Sequence, residues 1–188
     1  MEQVPALMLS PPPAAGAASR VNESLDVVAY VDAHYARGRL ASADPAVKRG
    51  IAVVETSILP FFYRLLMQQE QAQRDAAAAA LLDGLLQWVS ARPAGAAQAG
   101  PFFLGRHFSA ADIALLPWFP QRLEWIAGAY RGFQLPETRA FRPLLQFSDA
   151  VRAHPSVQRT IVDRERLVAN YSYYADGSAT STVAKDVA

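Results

Sequence analysis

The apolar positions of this chain change their period once. Residues 6 to 9 form an apolar run and residues 19 to 22 a short mixed one, separated by Ser10-Pro-Pro-Pro-Ala-Ala-Gly16. Prolines cannot donate to a strand ladder and favour an extended turn, so the two runs predict a small hairpin. From Leu25 the spacing is helical: Val28, Ala29 and Val31 follow on the way to Asp32, which predicts a helix from Ser24 to about Tyr35, ended by Gly38. Asp44-Pro45 is a start signal, because Asp accepts free first-turn amides and Pro at the first helical position loses nothing. Behind it Val47, Ile51, Val54, Ile58, Phe61, Leu65 and Leu66 recur every three or four residues, predicting a long helix to about Gln73 that Pro60 should bend. Asp75 reads as the cap of an Ala-rich helix over 76–91, and residues 92–101 as loop.

In the second half, Phe108-Ser109-Ala110-Ala111-Asp112-Ile113 carries the clearest local signal. Ser109 and Asp112 can satisfy each other's backbone amides as a capping box, and an apolar helix should follow to about Ala129, made irregular by Pro117, Pro120 and Gly128. Residues 141–153 and 155 to about 174 predict two more helices, the last opening on Pro155. From Ala175 onward the chain is small and polar and reads as a disordered tail. The pattern divides the chain at 1–38, 39–174 and 175–188, the middle part being mainly α.

Composition narrows the chemistry. The 188 residues are 52% hydrophobic and 19% charged, as in a soluble globular chain. The longest uninterrupted apolar candidate, Ala76 to Leu82, stops at Asp83, short of the roughly 18 residues of a membrane span. A net charge of +1 with scattered Lys and Arg gives no concentrated basic face for nucleic acid or an anionic membrane. The absence of cysteine excludes disulfides, thiolate metal sites and a cysteine nucleophile within these residues. The first residues lack the features of a secretory signal, which leaves the cytoplasm as the expected compartment. His34, His107 and His154 fall on different elements and make no zinc pattern. Capping explains Ser109 and Asp112 more simply than catalysis does, Trp118, Phe119 and Trp125 read first as core, and Arg64 and Arg74 as solvated faces.

Two short elements near the start carry more. Val4-Pro5-Ala6-Leu7 followed by Asn22-Glu23-Ser24-Leu25, a helical bundle, and Gly100-Pro-Phe-Phe-Leu-Gly105 leading into the Ser109–Asp112 box together resemble the glutathione transferase family over the whole chain. Ile113 to Leu116, Pro117-Trp118-Phe119 and Arg122-Leu123-Glu124 most resemble its omega class and related thioltransferases. The omega pattern has one residue fewer between Phe119 and Arg122, a step of about 100° around a helix. The fold implied is a helical bundle of the family's C-terminal type, preceded by a remnant, hairpin plus helix, of its thioredoxin-like domain.

The resemblance implies roles residue by residue. Val4 would offer its backbone to the cysteinyl part of glutathione, and Pro5 would follow a cis bond that holds that backbone open. Glu23 and Ser24 would receive the γ-glutamyl end, in keeping with the affinity of a helix start for a carboxylate and of a carboxylate for ammonium. Phe62, Tyr63, Trp118 and Arg122 would shape the pocket of a second, small electrophilic or disulfide substrate. No metal is implied, glutathione is the co-substrate, and a homodimer is the usual assembly. In omega-like relatives the nucleophile is a cysteine upstream of this pattern, and this chain contains none. The expectation is therefore a glutathione-dependent thiol transferase, reductase or conjugating enzyme without its catalytic segment here, inactive or very weak on its own. The alternative is a non-catalytic helical interaction module.

Overall fold

The computed structural model describes residues 6–9 and 20–181. Strands β1 (Ala6–Met8) and β2 (Arg20–Asn22) pair antiparallel with Leu7 opposite Val21, and α1 (Ser24–His34) follows directly. The expected hairpin and first helix are thus present. Asp32, almost fully buried, then ties down the connection to the bundle by accepting from Leu40 N at 2.8 Å, Ser42 N at 3.0 Å and the Ser42 hydroxyl at 2.7 Å.

The bundle begins with α2 (Pro45–Val53), where Asp44 accepts from Ala46 N at 2.7 Å in the expected cap. A single π-helical turn, Val54–Ile58, joins α2 to α3 (Leu59–Met67). Its wide ring is closed by Leu59 N bonding Val54 O, and it falls directly before Pro60, whose missing N–H and bulky ring are poorly accommodated by a regular α-turn. The 23-residue stretch Pro45–Met67 contains an 18-residue window with a mean hydropathy of 1.4, long and apolar enough to cross a bilayer. This stretch, broken by isolated polar residues, outranks Ala76 to Leu82 as the apolar candidate. In the fold it is the core helix: Val47, Val54, Ile58, Phe62 and Leu66 are essentially inaccessible.

The long helix ends at Met67 rather than near Gln73, and α4 runs Gln71–Ser90, so Asp75 lies inside it and accepts from Gln71 Nε2 rather than capping. After α5 (Ala96–Ala99), the Ser109–Asp112 capping box opens α6 (Ala110–Leu115) as expected. A second π-helical stretch, Pro117–Ala127, contains a kink at Phe119 (φ −127°, ψ 127°), and α7 (Gly128–Arg131) completes the segment. Next comes α8 (Arg142–Ala153). The expected helix over 155–174 is instead three short pieces, α9 (Pro155–Gln158), α10 (Arg164–Ala169) and α11 (Ser172–Ala175). Asp163, accepting from Arg166 N at 2.8 Å, starts α10 anew. Residues 176–181 fold back, with Ala179 N on Tyr173 O at 2.9 Å.

One ion network organises the loop between α4 and α6. The guanidinium of Arg92 is buried and donates to the carbonyls of Ala96, Gly100, Phe102 and Phe103. Asp112 accepts from Phe103 N and Ser109 N, each at 2.7 Å, and from the Ser109 hydroxyl at 2.6 Å. The segment Gly100 to Gly105 is thus held by one cation on its carbonyl side and one carboxyl on its amide side. Burial raises the Asp112 pKa above its ordinary value, against the pull of those hydrogen bonds and of Arg92.

Candidate functional site

Glu23 departs from ordinary backbone geometry, with φ 65° and ψ 133°, although it is not glycine. That left-handed region is costly for a residue with a Cβ, and such outliers concentrate where the surrounding structure has a use for them. Glu23 precedes α1 but makes no side-chain cap bond, so its exposed carboxylate and the adjacent Ser24 are left for other partners. Beside them Asn22 Oδ1 is buried without a hydrogen-bond partner among the described residues.

Glu23 and Ser24 line a cleft of about 390 Å³, a size ordinary for small-molecule sites. Leu25 and Val28 of α1 form its first wall. The π turn contributes Val54 and Glu55, and α3 contributes Leu59. Pro117, Trp118 and Arg122, with Ile113 and Ala114 of α6, close it. The cleft therefore unites two pairs that lie about a hundred positions apart in sequence, Glu23 with Ser24 and Trp118 with Arg122. The kink at Phe119 falls between Trp118 and Arg122, and both line the cleft.

Phe62 and Tyr63 do not line it. They lie one layer deeper, where the Phe62 and Tyr63 rings pack against Trp118 at 5.5 and 5.9 Å between centroids. Tyr171, just before α11, and Tyr174 within it complete this aromatic backing. Burial and the neighbouring Tyr171 push the Tyr63 phenol far above its ordinary value, which keeps it neutral. Arg122 lies over the Trp118 ring at 4.9 Å, donates Nε–H to the Tyr171 hydroxyl at 2.7 Å and donates Nη1–H to Pro117 O at 2.7 Å. Glu55 and Leu59 in the lining, and Tyr171 behind Arg122, are residues that the amino-acid pattern did not single out. The only local hint of Tyr171 is the aromatic run up to Tyr174, and Glu55 lines the cleft from a π turn of which the sequence shows only the bend expected at Pro60. Val4 and Pro5 lie outside the described residues.

A second hollow, of about 420 Å³, involves Arg74 and Arg131 and none of the residues above. Arg131 spends its donors on the carbonyls of Leu65, Leu66, Tyr130 and Ala175. Among the described residues no group of three metal-ligating side chains occurs.

No family model and no curated protein matches the sequence. Among solved structures, the fold is similar to glutathione transferase Omega 3C from Trametes versicolor, with a TM-score of 0.66 and 27% identity over 83% of this chain and 65% of that one. It is also similar to the dehydroascorbate reductase of Chlamydomonas reinhardtii, with a TM-score of 0.62 and 21% identity over 84% of this chain and 68% of that one. The chain thus spans about two thirds of the length of each. Its architecture is that of the glutathione transferase fold, a C-terminal-type helical domain behind a small thioredoxin-like part. It is a relative of the glutathione transferase family.

Proposed function

We propose that this chain binds glutathione through Glu23 and Ser24 and belongs to an omega-like branch of glutathione-dependent thiol transferases, reductases or conjugating enzymes. The observation that carries the reading is the backbone of Glu23. Its φ of 65° is costly, its carboxylate is not spent on capping α1, and it opens onto the cleft that also holds Trp118 and Arg122. In this reading Glu23 pairs with the γ-glutamyl ammonium, the uncapped start of α1 and the Ser24 hydroxyl take its carboxylate, and Val4 with Pro5 presents backbone to the cysteinyl part. The acceptor substrate, a small electrophile or disulfide, lies toward Trp118 and Arg122 over the aromatic layer of Phe62 and Tyr63.

No residue of this chain is assigned to the thiol chemistry. Tyr63 is held neutral and buried, Asp112 is occupied by three donors, and there is no cysteine. The 188 residues alone are therefore expected to bind glutathione without turning it over. A cytoplasmic homodimer is the setting proposed with this reading.

Calorimetric titration with glutathione, together with a conjugation and disulfide-reduction assay, tests it. Measurable binding without turnover is expected. Robust turnover by these residues overturns the assignment of chemistry elsewhere. Absence of binding favours the alternative, a non-catalytic helical interaction module.

A further inference from the structure

We infer that the Trp118–Arg122 end of the cleft takes a planar carboxylate, an aromatic or conjugated organic acid, and that Tyr171 is the positioning residue that sets Arg122 for it. The inference rests on the proposed glutathione reading for the identity of the neighbouring ligand.

Arg122 is half-buried and its charge is not matched. Among the described residues the ion pair present is Arg152 with Glu124, and no carboxylate pairs with Arg122. Its two hydrogen-bond acceptors, the Tyr171 hydroxyl and Pro117 O, are both uncharged. A partly desolvated guanidinium without an anion is an incomplete arrangement, and the missing partner is negative.

The shape of the acceptor follows from how the guanidinium is held. With Nε fixed by Tyr171 and Nη1 by Pro117, the plane of the group cannot turn, whereas Nη2 makes no hydrogen bond among the described residues. A guanidinium fixed in this way loses little freedom on binding and presents a preset donor edge. The Trp118 ring lies beneath it at 4.9 Å, and the apolar side chains of Ile113, Leu25 and Val28 line the same cleft. A flat apolar body with a carboxylate at one edge uses both features. Glu23 and Glu55, which also line the cleft, repel an anion elsewhere in it and so orient the acid toward Arg122.

Tyr171 reaches this point from 49 residues away. Its ring stands 5.7 Å from the guanidinium and packs edge-on against Phe62, so it is fixed by the core and in turn fixes Arg122. Removing its hydroxyl releases Nε without removing the charge.

The test titrates the full chain with 2-naphthoate and with uncharged 2-naphthamide, followed by tryptophan fluorescence and calorimetry, alongside glutathione. The wild-type chain is expected to prefer the acid by about tenfold or more, the range of one charge-assisted contact. Tyr171→Phe should reduce that preference severalfold while leaving the amide affinity unchanged, and Arg122→Gln should abolish it. A role confined to packing would weaken both probes alike, and that result overturns the positioning role. Should Tyr171→Phe fold poorly, Arg122→Gln, which keeps Tyr171, carries the charge test. Equal affinity for acid and amide, or no binding of either at millimolar concentration, overturns the inference. Glu23→Ala should weaken glutathione and spare the acid, whereas a wild-type chain that binds the acid but not glutathione counts against the glutathione reading and not against this one.

Discussion

Gly84 of α4 lies directly against the carbonyl oxygen of Ser57 in the π turn, so close that a Cβ on Gly84 would occupy the space of that backbone atom. The Ser57 hydroxyl bonds Gln87 Oε1 at 3.2 Å one helical turn further on, which fixes the crossing. Because the obstacle is backbone, it cannot swing aside as a side chain would. Gly84→Ala is expected to cost about 2 to 3 kcal/mol, well beyond the small gain in helix propensity. Urea unfolding measures it, and an unchanged midpoint would mean that the two helices can separate freely.

Asp32 gives the fold an acid-sensitive fastening. Burial opposes its ionisation, but the hydrogen bonds from Leu40 N, Ser42 N and the Ser42 hydroxyl outweigh it and hold the carboxyl below its ordinary 3.8. A carboxyl whose pKa is lowered by folding stabilises above the unfolded pKa, and that contribution fades as pH falls from about 3.8 through the folded value. Asp32→Asn should therefore cost about 1 to 3 kcal/mol at neutral pH and progressively less in acid. Denaturation midpoints of both proteins across that range should converge at low pH, and a constant gap would contradict the assignment.

Arg92 binds four carbonyls, so its loss exposes a whole loop rather than one bond. Arg92→Leu keeps the apolar contacts of the stem while leaving buried acceptors unpaired, and a loss of about 3 kcal/mol or more is expected. Hydrogen exchange should show the increase concentrated over residues 93–105. Uniform exchange across the bundle would argue against so local a function.

Glu23→Ala should weaken glutathione by about tenfold, near 1.4 kcal/mol, whereas His107→Ala should leave it unchanged. Equal losses in calorimetry would show that Glu23 has no special part in binding.

Much of this was legible in the residues, where local chemistry decides. Asp44-Pro45 and the Ser109–Asp112 box name their own helix starts, and both appear as written. The break at Gln68–Glu70 does not, since that stretch contains neither glycine nor proline. It is made by distant groups: Arg131 takes the carbonyls of Leu65 and Leu66, while Gln69 Nε2 bonds Met67 O and Ala175 O. The partition of residues 155–174 is a mixed case, with the cap at Asp163 visible locally but the packing of Tyr171 against Phe62 not. The cleft behaves the same way. Glu23, Ser24, Trp118 and Arg122 came from recognisable patterns, whereas Glu55 and Tyr171 enter through a π turn and a long-range hydrogen bond that no window of sequence displays.

The π turn between α2 and α3 also settles where this helix can change length. A regular helix rotates by about 100° per residue, so a deletion in the α-helical residues before Phe62 would swing Phe62 and Tyr63 relative to the start of α2 and away from Trp118. Within Val54–Ile58 the wide turn holds one residue more than an α-turn requires. Removing that residue would return the turn to α spacing, at the expense of the cleft wall formed there, of the room the wide turn gives Pro60 and of the crossing that Ser57 makes with Gly84. One turn of this helix therefore serves two surfaces at once, the cleft through Val54 and Glu55 and the crossing with α4 through Ser57.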